Sequence, residues 1–332
     1  MNIAFISTAH IHTRDFIKNI TEATDGRKVA AVWDDVKDRG ERYAAAAGAP
    51  YVASLDELLA LSNVDAFIIC AENTRHLPLL EKALPVGKPV FCEKPLVASE
   101  ADLARVRELI AAYPNTPLFS GYFQPWMPGL LAIRQVLASD VLGKITRIRY
   151  RNAHHAAYGR WFDNPDLQWF TNPELAGGGA FMDMGTHAIH LVRTLFGPVN
   201  EVWAEIGNHA GIYPAVDDFG IAQLRFASGT LGTVEAAWTQ TGGIGGLEVV
   251  GEKGSIWNTP TGYVLGFPGK PPEPIAPAAE GEPTRVDRLV ALLQGKLSKE
   301  ELKADLDAIL DAVAIMSAAY TSARSGSWVA VK

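Results

Sequence analysis

Five short apolar runs in the first 120 residues alternate with segments whose apolar residues recur at helical spacing. The runs predict strands at Asn2–Ser7, Lys28–Asp34, Val64–Cys70, Pro89–Glu93 and Pro117–Ser120. The segments between them predict helices at Arg14–Ala23, Val36–Ala47, Leu55–Leu61, His76–Leu84 and Ser99–Ala112. This alternation predicts a parallel, doubly wound sheet covered by helices on both faces, with ligands at the carboxyl ends of its strands.

After Gly121 the apolar residues alternate with a period of two. The predicted strands are Lys144–Ala153, Asn200–Gly207, Asp218–Ala227, Thr230–Thr239 and Gly246–Trp257, the last containing a turn signal at Glu252–Gly254. Helices are predicted around Gly129–Leu137, over Ala180–Leu195 and along the apolar stripe from Leu306 to Tyr320. The second half is therefore predicted to be α+β with a mostly antiparallel open sheet. The length of 332 residues suits two domains, which we divide at 1–120 and 121–332.

Composition argues against several classes of protein. The 30 Lys and Arg against 37 Asp and Glu give a net charge of −7, whereas nucleic acid or an anionic membrane requires a basic surface. No apolar run reaches the ~18–20 residues of a membrane span, and the start lacks the features of a signal peptide. Cys70 and Cys92 lie in apolar runs, so no disulfide framework is expected. We expect a cytoplasmic protein with neither nucleic acid nor membrane as its partner.

The turn Ser7-Thr8-Ala9-His10-Ile11-His12 follows the first predicted strand, where a dinucleotide-binding fold carries G-x-G-x-x-G. Those glycines let the backbone approach a pyrophosphate and let the helix pack on the sheet. Ser7 and Ala9 are small substitutes, whereas His12 is a departure. Asp34 ends the second predicted strand, where an acid would bind the ribose 2′-hydroxyl and repel a 2′-phosphate. The same position suits a helix N-cap, and the spacing does not decide between the two.

Lys94 ends the segment that contains the fourth predicted strand, and Pro95 holds it out of helical geometry. A lysine at the carboxyl end of a strand lies where substrates bind, although an exposed loop lysine fits the same pattern.

Gly177-Gly178-Gly179 precedes a predicted helix that carries Asp183, His187 and His190. At 100° per residue these three side chains fall on one stripe. A carboxylate beside a histidine orients an acid–base group and tunes its pKa, although a lone histidine on a helix is more often structural.

Polar and aromatic side chains are concentrated in the loop before the glycines: His154, His155, Tyr158, Arg160, Trp161 and Trp169. Aromatic faces with hydrogen-bonding groups suit a sugar or polyol ring, and an interface loop is the alternative.

His10 and His12 also form the H-x-H pattern with which metal-dependent hydrolases of the amidohydrolase type begin, and His187 or His190 could add ligands. The second half lacks the strand–helix alternation of an eightfold barrel. We therefore expect no catalytic metal and keep the hydrolase as an alternative from a different class.

Two segments together resemble the Gfo/Idh/MocA family of nicotinamide-dependent sugar and polyol oxidoreductases. They are Glu93-Lys94-Pro95 and Gly177–His187, which reads G-G-G-x-x-x-D-x-G-x-H. Residues 76–84 and 322–327 resemble further parts of the family pattern, so the likeness covers essentially the whole chain. The sequence departs from the family at the Ser7–His12 turn and at Pro125, where the family often carries Arg.

The resemblance implies a Rossmann domain over 1–120 and a substrate-binding and oligomerisation domain over 121–332, whose sheet builds homodimers or homotetramers. It implies a dehydrogenase that uses NAD, with NADP less favoured because of Asp34, on a secondary alcohol of a sugar, sugar acid, inositol or similar polyol. In its catalytic set, His187 is the general base, Lys94 orients the reacting hydroxyl and Asp183 holds the hydroxyl or the base.

The cofactor-binding set is Ser7, Thr8, Ala9, His10, His12, Asp34, Asn73, His76, Glu93 and Lys94. The substrate-binding set is Tyr122, His154, Tyr158, Arg160, Trp169, Asp183, His187 and His190. Two further activities occur in such a family: glycoside cleavage by oxidation and elimination with tightly held NAD, and non-catalytic sugar sensing. Retention of Lys94 and His187 argues against a sensor.

Overall fold

The computed structural model describes residues 1–332, and its first part is a five-stranded parallel sheet. The strands are β1 (Asn2–Thr8), β2 (Lys28–Trp33), β3 (Ala66–Cys70), β4 (Val90–Cys92) and β5 (Leu118–Ser120). The helices are α1 (Thr13–Glu22), α2 (Lys37–Ala47), α3 (Leu55–Leu59), α4 (His76–Ala83) and α5 (Glu100–Ala112). The order β2-β1-β3-β4-β5 puts the switch point, where such sheets bind ligands, between β1 and β3. The predicted bounds of these elements agree with the structure to within two residues.

Two apolar layers hold this sheet in place. In β1, Ala4 and Ile6 face one core cluster while Ile3 and Phe5 face the other, and all four are 0% exposed. Side chains in β3 and β4 alternate in the same way. Complete burial of a large aliphatic or aromatic side chain contributes ~1.5–3 kcal/mol, so the sheet is a rigid base for the groups at its carboxyl ends.

The second part contains β6 (Ile145–Ala153), β7 (Val199–Gly207), β8 (Phe219–Phe226), β9 (Leu231–Ala237), β10 (Gly246–Gly251), β11 (Ser255–Thr259), β12 (Gly262–Gly266), β13 (Glu273–Pro274) and β14 (Val329–Ala330). They form one sheet in the order β13-β12-β11-β10-β6-β9-β8-β7-β14, in which only β6 and β9 pair in parallel. The predicted fold class, a parallel doubly wound sheet followed by a mostly antiparallel one, is confirmed. The sequence prediction lacks β12 and the two edge strands, β13 and β14, each of which has only two residues.

The helices of this part are α6 (Pro128–Ala138), α7 (Pro173–Ala176), α8 (Thr186–Phe196), α9 (Val286–Leu293) and α10 (Lys299–Ser325). A π-helical turn, Phe181–Gly185, leads into α8, so the predicted uninterrupted α-helix from Ala180 is wrong at its start. The carboxylate of Asp217 accepts hydrogen bonds from the backbone N–H groups of Gly179 and Phe181, each at 2.7 Å. A Cβ at Gly179 would collide with the backbone of Asp217, so this approach requires glycine.

Helix α10 joins the two parts. A capping box between Ser298 and Glu301 begins it, and Gly326, in the left-handed region at φ 67°, ends it. It packs against α8, β7 and α5. Its length and composition would suffice to cross a membrane, but its apolar stripe, which includes Ile309 and Val313, belongs to the core of this fold.

Candidate active site

A cavity of about 250 Å³ lies between the carboxyl edge of the parallel sheet and the second part of the chain. Its polar lining residues are His12, Lys94, Gln124, Asn152, His154, Asp183, His187 and Arg285. A larger groove, of about 520 Å³, lies on the nine-stranded sheet beside Arg147, Arg149 and Arg151. The smaller cavity is the candidate active site because buried acid and base groups converge there.

Lys94 and Asp183 form a buried ion pair that joins the two parts of the chain. The Lys94 ammonium donates to Asp183 Oδ1 at 2.5 Å and to the Asp183 carbonyl at 3.2 Å. The indole N–H of Trp238 donates to Asp183 Oδ2 at 2.9 Å. Burial alone would raise the pKa of Asp183, but Lys94 and Trp238 hold it below its usual range. The carboxylate therefore stays ionised and fixes the ammonium at the cavity wall.

His187 lies beside this pair, on the first turn of α8, and is 5% exposed. Its ring meets Phe123 and Tyr122 edge-on, with centroids at 5.3 Å and 5.8 Å. Burial, followed by the positive charges of Lys94 and Arg285, lowers the pKa of His187 well below its usual value. The imidazole is thus neutral at pH 7, and its Nδ1 makes no hydrogen bond within the chain. We call Lys94, Asp183 and His187 the acid–base cluster.

The structure corrects the predicted substrate contacts of His190 and Tyr122. His190 stacks on Tyr122 with ring centroids 4.1 Å apart, and the Tyr122 hydroxyl bonds with Thr186 Oγ1 at 2.6 Å. Both residues are buried behind His187 and do not line the cavity. The π-helical turn changes the angle between Asp183 and α8, and within α8 His187 faces the cavity while His190 faces Tyr122, so the stripe calculated at 100° per residue does not bring all three side chains to the site.

The polar-aromatic loop divides between the cavity and the surface. His154 lines the cavity and stacks with Trp161 at 4.9 Å between ring centroids. Tyr158 is 51% exposed, and exposed Arg160 pairs with Asp163. Neither Tyr158 nor Arg160 lines the cavity, so their predicted substrate contacts are not found.

Trp169 does not line the cavity either, which corrects its predicted substrate contact. Its indole N–H donates to the Ala9 carbonyl at 3.1 Å, across the turn formed by residues 7–12. We call this turn the β1 turn. Residues 165–176, which we call the covering segment, make further bonds to the parallel-sheet domain: Arg42 to Asp166, Thr74 to the Glu174 carbonyl and Asn73 Nδ2 to the Ala176 carbonyl.

In the structure, the carboxylate of Asp34, predicted to bind a ribose, is already hydrogen-bonded to groups of the chain. Its two oxygens accept from Arg39 Nε at 2.9 Å and Nη2 at 2.8 Å, and from the Thr8 backbone N–H and hydroxyl at 2.8 and 2.5 Å. The Val36 N–H is also bound, at 2.8 Å. Burial would raise the pKa of Asp34, but Arg39 lowers it, so the carboxylate is charged and already paired. A free carboxylate facing a ribose, as the sequence predicts, is not what the structure shows.

The remaining predicted cofactor residues differ in whether their polar groups already have hydrogen-bond partners within the chain. Ser7 has a φ of 63°, and its buried hydroxyl has no partner. The N–H groups of Ala9 and Ile11 bond to no group in the chain and lie just before α1, so they can receive a pyrophosphate. Asn73 keeps a free Oδ1. His76 corrects the prediction: it is fully buried, with its ring nitrogens 2.8 and 3.2 Å from the Pro95 and Ala71 carbonyls.

His10, His12 and Glu93 meet behind the cavity. Glu93 Oε1 lies 3.1 Å from His12 Nδ1 and 3.8 Å from His10 Nδ1. Glu93 Oε2 accepts the Lys94 backbone N–H at 2.9 Å. Burial alone would raise the pKa of Glu93, but the two histidines hold it well below its usual range. The charged Glu93 therefore lies at 0% exposure between two imidazole rings.

Sequence reasoning missed several residues of the cavity. Arg285 follows a stretch rich in Pro and Gly, yet its guanidinium lies 3.9 Å from the centre of the Phe123 ring. Asn152 Nδ2 donates a hydrogen bond to the Met184 carbonyl at 2.8 Å, which links β6 to the π-helical turn. No motif marks either residue, although the alternation in β6 could have shown which face Asn152 occupies.

Two family models match the chain. "Oxidoreductase family, NAD-binding Rossmann fold" matches residues 1–122, and "GFO/IDH/MocA C-terminal domain" matches residues 130–257. The chain belongs to the Gfo/Idh/MocA family. A curated relative, inositol 2-dehydrogenase 2 of Paenarthrobacter aurescens, is 29% identical, and the match covers 73% of this chain and 70% of the relative. For the 1,5-anhydro-D-fructose reductase of Ensifer adhaerens, the identity is 28% and the coverages are 73% and 71%.

Solved structures of the family agree with this fold. GenD2 from gentamicin A biosynthesis, in complex with NAD, is 25% identical with a TM-score of 0.78, over 100% of this chain and 96% of that one. The WlbA dehydrogenase of Bordetella pertussis has a TM-score of 0.82 at 21% identity, over 100% and 98% of the two chains, which shows the shared fold. This Gfo/Idh/MocA protein is an NAD-binding oxidoreductase.

The barrel hydrolase alternative is wrong, because the parallel sheet is open and has five strands. NAD fits the residues that remain free. The open N–H groups of Ala9 and Ile11 suit its pyrophosphate, and the cavity beside Lys94 and His187 suits its nicotinamide end.

Proposed function

We propose that the protein interconverts a secondary alcohol and a ketone on a sugar, sugar acid, inositol or similar polyol. The observation that carries the proposal is the acid–base cluster: a neutral, buried His187 in the same cavity as the Lys94–Asp183 ion pair. The relatives named as inositol dehydrogenase and anhydrofructose reductase support the same class of substrate.

NAD⁺, when bound, accepts the two electrons and the hydrogen that leave the carbinol carbon. His187 accepts the hydroxyl proton, for which its neutral imidazole is ready at pH 7. The Lys94 ammonium stabilises the negative charge that develops on the alcohol oxygen, and Asp183 fixes the position of that ammonium. Burial strengthens both effects, because water does not screen the charges.

The rest of the cavity suits a ring with several hydroxyl groups. The stacked rings of His154 and Trp161 provide an apolar face, while Gln124 Oε1, buried and without a partner, can accept a hydrogen bond from a hydroxyl group. Arg285 supplies a positive charge that suits a carboxylate, as in a sugar acid.

The test is NADH formation across a panel of inositols, sugars, sugar acids and linear polyols, with the variants H187A and K94M beside the wild type. We expect NAD⁺ reduction with at least one cyclic polyol or sugar, lost in both variants. A product formed without accumulation of NADH would instead indicate oxidation and elimination on a glycoside. Binding of NAD and sugar with no turnover of any compound would indicate a sensor.

We further propose that the nine-stranded sheet mediates a homodimer or homotetramer in the cytoplasm. Leu231 on β9 and Ile244 in the loop before β10 are 53% and 55% exposed, and an interface between copies would remove both side chains from water. Light scattering coupled to size exclusion tests the assembly, and L231E should convert it to a monomer. Fractionation of the producing cells tests the location.

A further inference from the structure

His10, His12 and Glu93 come from two separate strands and converge at the switch point of the parallel sheet. His10 and His12 follow β1, and Glu93 follows β4, on the far side of β3. Main-chain bonds to β3 fix both ends: the His10 N–H donates to the Cys70 carbonyl and the Glu93 N–H to the Ile69 carbonyl, each at 2.9 Å. The convergence is therefore fixed by main-chain bonds to the fully buried strand β3.

The spacing of the three donor atoms matches a metal site. Zinc binds imidazole nitrogen and carboxylate oxygen at about 2.0–2.2 Å, so two ligands of a tetrahedral site lie about 3.3 Å apart. Glu93 Oε1 lies 3.1 Å from His12 Nδ1 and 3.8 Å from His10 Nδ1. All three ligand atoms lie within 4.8 Å of one another. Small rotations of the His10 and His12 rings would bring the three atoms to the spacing of a tetrahedral site.

The buried Glu93 carboxylate has neither an ammonium nor a guanidinium at ion-pair distance. The ionisable partners within 4 Å of the Glu93 carboxylate are the two histidines. Neither Lys94 nor Arg285 forms an ion pair with it. His10 is 1% exposed: its Nδ1 accepts only a long bond of 3.3 Å from the His12 N–H, and its Nε2 has no partner. A buried carboxylate beside an unsatisfied imidazole is costly, and a bound cation removes that cost.

We propose that His10, His12 and Glu93 bind one divalent transition-metal ion of the zinc type, through His10 Nδ1, His12 Nδ1 and Glu93 Oε1. His12 lines the cavity and its side chain is 22% exposed, whereas His10 and Glu93 lie behind it. The fourth coordination position therefore faces the cavity, on the side of Lys94, where it takes water or an oxygen of a hydroxyl, carbonyl or carboxylate group. Two histidines, one glutamate and an open position form a set that zinc enzymes use.

This site departs from the expectation of no metal drawn from the sequence. The H-x-H pattern supplies two ligands, but Glu93 lies 81 residues after His12 and only the strand order brings it close. The metal site does not depend on the class of alcohol, because ion and substrate are measured separately.

The test is metal binding by the full-length chain after dialysis against EDTA. Zn²⁺ is titrated by calorimetry without NAD or alcohol, and the bound metal is counted by mass spectrometry. We expect one Zn²⁺ per chain, and a loss of affinity of at least about 100-fold in H12A and in E93Q, since even residues around metal ligands typically change affinity 10–100-fold. H209A, at an exposed histidine in the loop after β7, is the control and should bind as the wild type does.

Replacement of Zn²⁺ by Co²⁺ gives a second readout that needs no variant. Four-coordinate Co²⁺ absorbs strongly in the visible range, so the wild type should become intensely coloured and EDTA should reverse the change. The proposal is overturned if the wild type binds no more Zn²⁺ than H12A does, or if its Co²⁺ spectrum stays that of the aqueous ion. Circular dichroism verifies that each variant is folded.

Discussion

The acid–base cluster and the β1 turn lie at the same edge of the parallel sheet, yet they differ in what remains free. In the cluster, Asp183 fixes Lys94 while the Nδ1 of His187 stays open toward chemistry. At the β1 turn, several predicted cofactor contacts are made within the chain. Asp34 accepts hydrogen bonds from Thr8 and Arg39, and Trp169 donates one to the Ala9 carbonyl. The acid–base cluster is thus free to act, whereas at the β1 turn several predicted cofactor contacts are already paired within the chain and the N–H groups of Ala9 and Ile11 stay open.

The largest expected effect comes from removing the base. His187→Ala should lower kcat by roughly 10²–10⁴-fold with little change in NAD affinity, because the imidazole acts on the proton. The matched control is His190→Phe, which keeps the stack on Tyr122 and should retain near wild-type kcat, since His190 does not line the cavity. Steady-state kinetics on an active alcohol measures both. Equal losses in the two variants would contradict the site.

The pH profile tests the same histidine. A general base works when neutral, so kcat/KM falls as the pH drops through its pKa. Burial lowers the pKa of His187 well below 6.5, and the wild-type profile should therefore stay level from neutral pH down to below 6.5 before it declines. His187→Ala should lack this acidic limb. A wild-type inflection at or above 6.5 would mean that His187 is solvated or is not the base.

The next effect concerns stability. Asp183→Leu leaves the Lys94 ammonium buried and unpaired, which should lower the free energy of unfolding by about 3–5 kcal/mol. The double variant Lys94→Met with Asp183→Leu removes both charges and should recover most of this loss, although it is inactive. Urea denaturation measures the difference. If the double variant is as unstable as Asp183→Leu, packing rather than the ion pair holds the cluster.

Much of the molecule could be predicted from sequence, for reasons that individual residues make clear. The strands of the parallel sheet are buried on both faces, so their apolar runs marked them to within two residues. Glu93-Lys94-Pro95 and the glycine-initiated helix were specific enough to bring Lys94, Asp183 and His187 into one hypothesis, and the structure places these three at one cavity. Their catalytic roles stay predictions until the variants are measured.

The parts that could not be predicted depend on geometry absent from a pattern. The π-helical turn changes the angle between Asp183 and the two histidines of α8, because a rule of 100° per residue assumes an unbroken α-helix. Arg39, about one helical turn after Asp34, donates a hydrogen bond to its carboxylate. Spacing alone does not show whether Asp34 binds Arg39 or a ribose. Arg285 reaches the cavity from a segment that has no periodicity.

The Asp34–Arg39 pair gives a test of intermediate size. Asp34→Ala removes the carboxylate that binds Arg39 Nε and Nη2, so the guanidinium keeps only Asp35 at 3.2 Å and Glu72 at 3.5 Å, close to where a ribose 2′-phosphate would lie. The ratio of kcat/KM for NADP⁺ to that for NAD⁺ should rise about tenfold, which corresponds to about 1.4 kcal/mol. Asp38→Ala replaces an exposed residue of α2, the helix that carries Arg39, and should leave the ratio unchanged. An unaltered preference in Asp34→Ala would show that the ribose does not approach this pair.

The smallest expected effect addresses the covering segment. Trp169→Phe keeps an aromatic ring in the stack with Phe170, whose centroid lies 3.9 Å away, but removes the indole bond to the Ala9 carbonyl. A neutral hydrogen bond contributes about 0.5–1.5 kcal/mol, so NAD⁺ should bind about two- to tenfold more tightly if the dinucleotide displaces this contact. kcat should not change, because the acid–base cluster is untouched.

Calorimetric titration of NAD⁺ measures this difference, with Trp328→Phe as the control on an exposed tryptophan at the other end of the molecule. Weaker binding in Trp169→Phe would reverse the comparison between the two regions. The covering segment would then be part of the cofactor-bound state, and its bonds to the β1 turn would hold the dinucleotide in place. In that case Asn73 and Thr74, which bond the same segment, should also weaken NAD⁺ binding when replaced by alanine.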